Sequence, residues 1–266
     1  MILILTGSIC YCLATFFVVR AARNPAHGTS APWVFSLVAA TAAHGGYHIA
    51  RASYSLQRAD MHFFAALSLT TLAMAILTTC FGSQRRMGAL GVVVYPLAAI
   101  FLLLYAIHPS HLGPVLDWHL RLHAWLAILA YATLSIAALL AIMLWMQDYT
   151  LRSHRLYRWL AAALPPLIEL ETLLFRMITA GFCLLTLTLL SGLAFVDNFF
   201  TNQLVSKTVL SILSWVFFGA LLVGRRLSGW RGTKAVRLTL AAMGLLILAY
   251  YGSQWFFEQT PRPLFD

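Results

Sequence analysis

Eight runs of roughly twenty apolar residues alternate with short polar stretches along this chain: residues 2–19, 33–50, 63–81, 88–107, 122–146, 177–196, 208–223 and 238–257. Each is about as long as a helix must be to cross the hydrocarbon core of a bilayer, and a helix satisfies its own backbone polar groups there. The pattern predicts an all-α, polytopic membrane protein of about eight transmembrane helices, a single helical domain over residues 1–266. The longest interruption, 147–176, has a basic first part with Arg152, Arg155 and Arg158, followed by LPPLIELETLLF. Pro165 and Pro166 suit a helix start, and Glu169 and Glu171 suit its first turns. This loop is therefore expected to be cytoplasmic and to carry an interfacial helix lying on the membrane. No basic residue precedes the first apolar run and Arg20 follows it, so the run reads as a retained span and not as a cleaved leader.

Composition agrees with the pattern. The chain is 61% hydrophobic and 10% charged, where a soluble domain has about 25% charged residues. Its basic residues fall unevenly between alternate loops. One side holds thirteen, among them Arg85, Arg86, Arg176, Arg225, Arg226 and Arg231; the other holds five, Arg51, Arg58, Arg121, Lys207 and Arg262. The positive-inside rule makes the first side cytoplasmic and places both termini on the outer, periplasmic side. The net charge of +10 is then accounted for by basic loops against an anionic lipid bilayer, and no nucleic acid partner is implied. The four cysteines, Cys10, Cys12, Cys80 and Cys183, lie inside apolar runs and suggest neither a disulfide framework nor a thiolate metal site.

This topology sorts the histidines. His44, His48, His62, His108, His111, His119 and His123 lie at or near the outer face, and only His27 and His154 lie on the other. Loop histidines such as His62, His108 and His111 are expected to be solvated. His44 is different: it sits seven residues below Arg51 within a span, in AAHGGYHIAR, where Gly45 and Gly46 permit close approach of a helix or a flat ligand. His119 and His123 are four apart, so on a helix they share a face where the chain enters the membrane. An ionisable ring at that depth is a functional candidate by default.

Three chemistries remain open on the residues alone. Haem iron takes axial nitrogens on opposite faces of the macrocycle, so two histidine ligands must come from two helices. A same-helix pair such as His119 and His123 suits one edge of a zinc or copper site instead, and a metal or solute transporter using His44, His48, His119 and His123 as a relay fits that geometry. In the third, a structural or regulatory membrane subunit, the rings only hydrogen-bond to neighbouring helices. No nucleophile with a base at usable spacing, phosphate loop or outer carboxylate pair is present, so no enzymatic activity is expected.

LHAWLAILAYATL, then LPPLIELETLLFRMITAGFCLLTLTLLSGLAF, then the segment from Lys207 through GWRGTKAVRLTLAAMGLLILAYYGS resemble the cytochrome c assembly family, which includes CcsA and HemX-like proteins. The resemblance extends over nearly the whole chain. It implies a multi-pass protein of the bacterial inner membrane that binds non-covalent, b-type haem, works with other cytochrome c maturation or membrane proteins, and acts in cytochrome c maturation or haem handling at the outer face. It also implies axial ligation by His123 and His44, with His48 and His119 as neighbouring candidates. Two features of the family pattern are missing. The outer loop reads FVDNFFTNQLVSKT and has no tryptophan, and the regions around GWRG and after the last span carry no histidine. Presentation of haem to an apocytochrome, which the tryptophan-rich loop serves, is therefore not implied as directly as haem binding.

Overall fold

The computed structural model describes residues 1–23, 31–54, 62–82, 88–108, 117–152, 166–195 and 202–252. Among these the chain forms eight α-helices: α1 (Ile2–Arg23), α2 (Ala31–Tyr54), α3 (Phe63–Gly82), α4 (Gly88–Ile107), α5 (Trp118–Arg152), α6 (Leu167–Phe195), α7 (Asn202–Ser228) and α8 (Thr233–Ile247), the last continued by a π-helical turn, Leu248–Gly252. Every apolar run of the sequence is helical over its described residues. Seven of the helices are long and apolar enough to cross a membrane. The exception is α2, whose C-terminal half carries His44, His48 and Arg51 and is correspondingly less apolar. Its 24 residues nonetheless extend about 36 Å, more than the hydrocarbon thickness.

The helices pack as two groups. In the first, α1 lies against α2 and α4, and α3 lies against α4. In the second, α5 and α6 share the most extensive contact of the molecule, α8 packs on both α5 and α7, and α6 touches α7. Contact between the groups runs mainly from α3 to α5.

The close α5–α6 contact follows from small residues facing large ones. Ala130, Ala137 and Ala141 of α5 are buried, as are Leu134 and Leu140 beside them and Leu170, Leu174 and Ile178 of α6. At Gly181 a Cβ would lie 2.5 Å from Leu134 Cδ2, so the glycine makes room for that leucine. Lipid tails are as apolar as leucine, and such helices associate through this kind of fit and through polar contacts.

The sixth span begins earlier than expected, at Leu167. The interfacial helix expected within 147–176 is not a separate element where the chain is described: α5 runs on to Arg152, and from Leu167 the chain is continuous with the sixth span. Pro166 stands just before that start and accepts from the amides of Glu169 and Leu170, so the first turn forms at the proline and nothing interrupts the helix after it. Residues 153–165 lie outside the described residues. GWRG, residues 229–232, forms a tight turn between α7 and α8. Gly229 and Gly232 have φ of 62° and 56°, a region that side chains avoid. The turn folds Trp230 back onto α7, where its amide donates to Gly224 O at 3.2 Å and its ring fills the space a Cβ at Gly224 would occupy. Arg231 Nε then reaches Glu171 of α6 at 3.1 Å.

Gly181→Val is expected to destabilise the protein by about 1–3 kcal/mol through overpacking. Gly46→Ala, whose Cβ would meet nothing closer than Leu3 Cδ1 at 4.0 Å, is expected to stay within about 0.5 kcal/mol of the parent. Thermal unfolding of the two variants in one detergent checks the pair; equal midpoints would show that the α5–α6 contact is not tight at Gly181.

Candidate functional site

Within α2, His44 and His48 are one turn apart and present stacked rings, 5.4 Å between centroids at 25°. His44 is fully buried. Its Nδ1 lies 3.2 Å from the hydroxyl of Tyr11 on α1, and its Nε2 lies 2.8 Å from Ser68 Oγ on α3. Ser68 Oγ is also 3.0 Å from His48 Nε2. A hydroxyl has one proton to donate, so with neutral rings Ser68 donates to one of these Nε2 atoms and accepts N–H from the other. His48 in turn stacks on Tyr105 of α4, 4.7 Å between centroids at 9°. Helices α1 to α4 thus each contribute a side chain to one buried network, and Ser68 is its branch point.

Further histidines surround the same end of this group. His62 is half-buried against Tyr105, 5.5 Å away. His108 is exposed, but its Nδ1 donates to Leu104 O at 3.0 Å and its ring stacks on Phe64 at 4.1 Å. These two are packed more than the expected solvated loop histidines, because the ends of α3 and α4 present aromatic faces to them. His111 lies outside the described residues, as do Asp197, Asn198 and Phe199 of the outer loop.

The second site is simpler. His123 on α5 is half-buried, and its Nδ1 lies 2.9 Å from Ser191 Oγ on α6. The Ser191 hydroxyl donates to Thr188 O, one turn back, at 2.9 Å. Its proton is therefore committed, and Ser191 accepts from His123 Nδ1–H. In that tautomer Nε2 of the neutral ring carries the lone pair, and the Thr188 backbone carbonyl also hydrogen-bonds the imidazole. A Cβ at Gly192 would lie 3.2 Å from His123 Cε1, so the glycine lets the imidazole sit against the α6 backbone. His119, one turn earlier, is held differently: its ring lies 3.7 Å from that of Trp118 and 4.9 Å from that of Phe195.

Of the four predicted residues the structure brings together one pair, His44 and His48. His44 and His48 meet at Ser68, while His123 and His119 both turn to α6 but make no ring contact with each other among the described residues. The hydrogen bonds and ring contacts of His44 go to Tyr11, Ser68 and His48, none of which belongs to α5 or α6. No group of three or more histidine, cysteine, aspartate or glutamate side chains able to hold a metal ion occurs among the described residues.

As a haem ligand, His123 fits through the hydrogen bond that anchors Nδ1 on Ser191, which leaves the lone pair on Nε2. His44 fits less directly, since both its nitrogens are hydrogen-bonded. The residues that sequence reasoning passed over are Tyr11, Ser68, Tyr105 and Ser191. Tyr11 and Tyr105 look like ordinary aromatic residues of a span, and Ser191 sits in a run, TLTLLSGL, where polar and apolar residues alternate without marking a site.

Known proteins extend this picture. Residues 34–260 match the family model for the cytochrome c assembly protein. The inner membrane protein YpjD of Escherichia coli strain K12 is 36% identical over 189 residues, 70% of this chain and 71% of that protein. An uncharacterized 28.8 kDa protein of Azospirillum brasilense is 36% identical over 134 residues, 49% of each chain. The cytochrome c biogenesis protein CcsA of Prochlorococcus marinus strain NATL1A is 30% identical over 102 residues, 34% of this chain and 32% of that protein. No solved structure matches. With a family model spanning most of its length and a relative of that identity and coverage, this membrane protein belongs to the cytochrome c assembly protein family.

Proposed function

We propose that this protein binds haem in a bacterial inner membrane and handles it at the outer face during cytochrome c maturation, without covalent chemistry of its own. His123 is the ready axial ligand and His44 the second. Family membership supports haem handling, the name of YpjD supports the membrane, and the name of CcsA supports the process. The observation that carries the reading is the fixed tautomer of His123. A metal-binding imidazole generally has its other nitrogen held by a hydrogen bond, which orients the ring and raises its basicity. Here Ser191 and the Thr188 carbonyl do that.

When bound, haem supplies an iron centre whose oxidation state and release depend on its axial ligands. The chain's own contribution is positional. Ser191 holds the His123 proton at Nδ1, and Gly192 leaves room for the Cε1 edge of the ring beside α6. Ser68 occupies the nitrogen of His44 that ligation would use, so His44 serves as a ligand only after giving up that bond. The binding is non-covalent, of b-type haem, and other cytochrome c maturation proteins are the expected partners. The outer-face assignment follows if all eight helices cross the membrane.

A second reading is favoured by the full engagement of His44: the network of Tyr11, His44, Ser68 and His48 is an interhelical clasp, and only His123 touches a ligand. Transport of a bare metal ion has less support, given the lack of a three-ligand cluster among the described residues.

Titration of the purified protein with hemin separates these readings. The first predicts a Soret band that turns five-coordinate and more loosely held in either His44→Ala or His123→Ala and disappears in the double variant. Unchanged spectra in both single variants would place the ligands elsewhere, and loss confined to His123→Ala would select the clasp.

Two serine variants provide a further check. Ser191→Ala is expected to weaken hemin binding about 10–100-fold, with Ser191→Thr retaining most of it. Ser68→Ala is expected to lower the stability of the haem-free protein by about 1–3 kcal/mol, the cost of an unsatisfied buried group, yet to tighten hemin binding by freeing His44 Nε2. A destabilised Ser68→Ala variant with unaltered hemin affinity would remove His44 from the ligand set.

A further inference from the structure

Far from the histidines, at the basic ends of α6 and α7, lies an open groove of about 590 Å³ lined by Thr172, Phe175, Arg176, Thr179, Ala180, Leu222, Arg225 and Arg226. We propose that it is a binding site for an anionic phospholipid, with the phosphate among Arg176, Arg225 and Arg226 and an acyl chain along α6.

Charge is the first reason. Three arginines, Arg176, Arg225 and Arg226, line the groove and no carboxylate does; the neighbouring Glu171 is shared by Arg225 at 3.6 Å and Arg231 at 3.1 Å. Arg176 and Arg226 are exposed at the groove, and the cluster keeps an excess of positive charge. The second reason is order. The Arg225 guanidinium lies 3.6 Å from the centroid of the Phe175 ring, so it is fixed before any ligand arrives. Its Nη1 is buried and makes no hydrogen bond among the described residues, because Glu171 is too distant for one. A buried donor of this kind gains most from an anionic acceptor.

The third reason selects a lipid over a soluble anion. The groove runs along α6 from Thr172 and Arg176 to Thr179 and Ala180, residues that share one face of the helix, and Leu222 continues it on α7 one turn above Arg225 and Arg226. Beyond Ala180 the same α6 face exposes Cys183, Leu187 and Leu190. A polar head at the arginines therefore leads into an apolar track in the direction of the membrane interior, which suits a phospholipid and not a phosphate ion.

Native mass spectrometry of the full chain in detergent tests this, with phosphatidylglycerol, phosphatidylcholine and inorganic phosphate as probes. Arg176→Ala/Arg226→Ala removes two exposed charges while leaving Arg225 and Glu171 paired. Lys234→Ala/Arg237→Ala removes two exposed charges of α8 away from the groove. A basic residue near a lipid surface contributes about a factor of five, so the first pair is expected to reduce phosphatidylglycerol retention about 25-fold and the second to leave it within about twofold. Millimolar inorganic phosphate should not displace the lipid, and phosphatidylcholine should be retained less. Equal losses in the two variants would reduce the groove to general basic charge, and displacement by phosphate or indifference to the headgroup would overturn a phospholipid site. Hemin spectra should be unchanged in both variants, which keeps this test separate from that of the histidines.

Discussion

A neutral imidazole in the interior of a membrane bundle has one nitrogen that donates and one that accepts, with no water to satisfy either. Both histidine sites meet this constraint in the same way, with a serine hydroxyl on a neighbouring helix. The outcomes differ because the serines differ. Ser68 is shared between His44 and His48, and with Tyr11 on the other side of His44 that ring is fully satisfied. Ser191 has committed its proton to Thr188 O, so it satisfies only one side of His123. The contrast between the two hydrogen-bonding patterns thus rests on where one hydroxyl proton goes.

The sequence made the elements readable and left their partners hidden. Apolar runs of span length locate every α-helix among the described residues, since only a helix can hide its own backbone in hydrocarbon. The spacing of His44 from His48 and of His119 from His123 correctly puts each pair a turn apart on one helix. What each ring meets could not be read. Tyr11, Ser68 and Ser191 stand 33, 24 and 68 residues from the histidines they bond, and nothing local distinguishes them from other polar residues of a span. The same limit explains His119: its spacing from His123 suits a shared metal, but Trp118 and Phe195 offer aromatic faces that take the ring elsewhere. Helix boundaries in 147–176 were misjudged for a different reason. Arg176 looked like a loop residue, whereas it stands exposed on a continuous helix, at the groove between α6 and α7.

Glu171 shows how a charge can be kept near the membrane boundary. It is nearly buried, and single removal of a partner from such a pair leaves an uncompensated charge. Two arginines from two positions guard against that, one on α7 and one delivered by the turn after it. That delivery explains the glycines. Without left-handed backbone at Gly229 and Gly232, Trp230 could not fold onto Gly224 and Arg231 would not face α6. A motif that reads as an interfacial Trp and Arg is in physical terms a clip, fastening α6, α7 and the start of α8 at one end.

Helix α6 consequently has its position set at three heights: by Glu171 at the basic end, by Gly181 against Leu134 in the middle, and by Ser191 at the histidine end. A helix is stiff along its axis, and a contact as tight as Gly181 against Leu134 leaves little room for sliding. The hydrogen bond from His123 to Ser191 is therefore not adjusted locally; its length is set by how α5 and α6 are seated along their whole shared face. Under the proposed function, release of a ligand from His123 Nε2 need not disturb that seating, because Nδ1 is the nitrogen that Ser191 anchors. His44 has no such independence. Its freedom to leave Ser68 depends on α2, α3 and α1 together, so any exchange of partners there involves the first group of helices and not a single side chain.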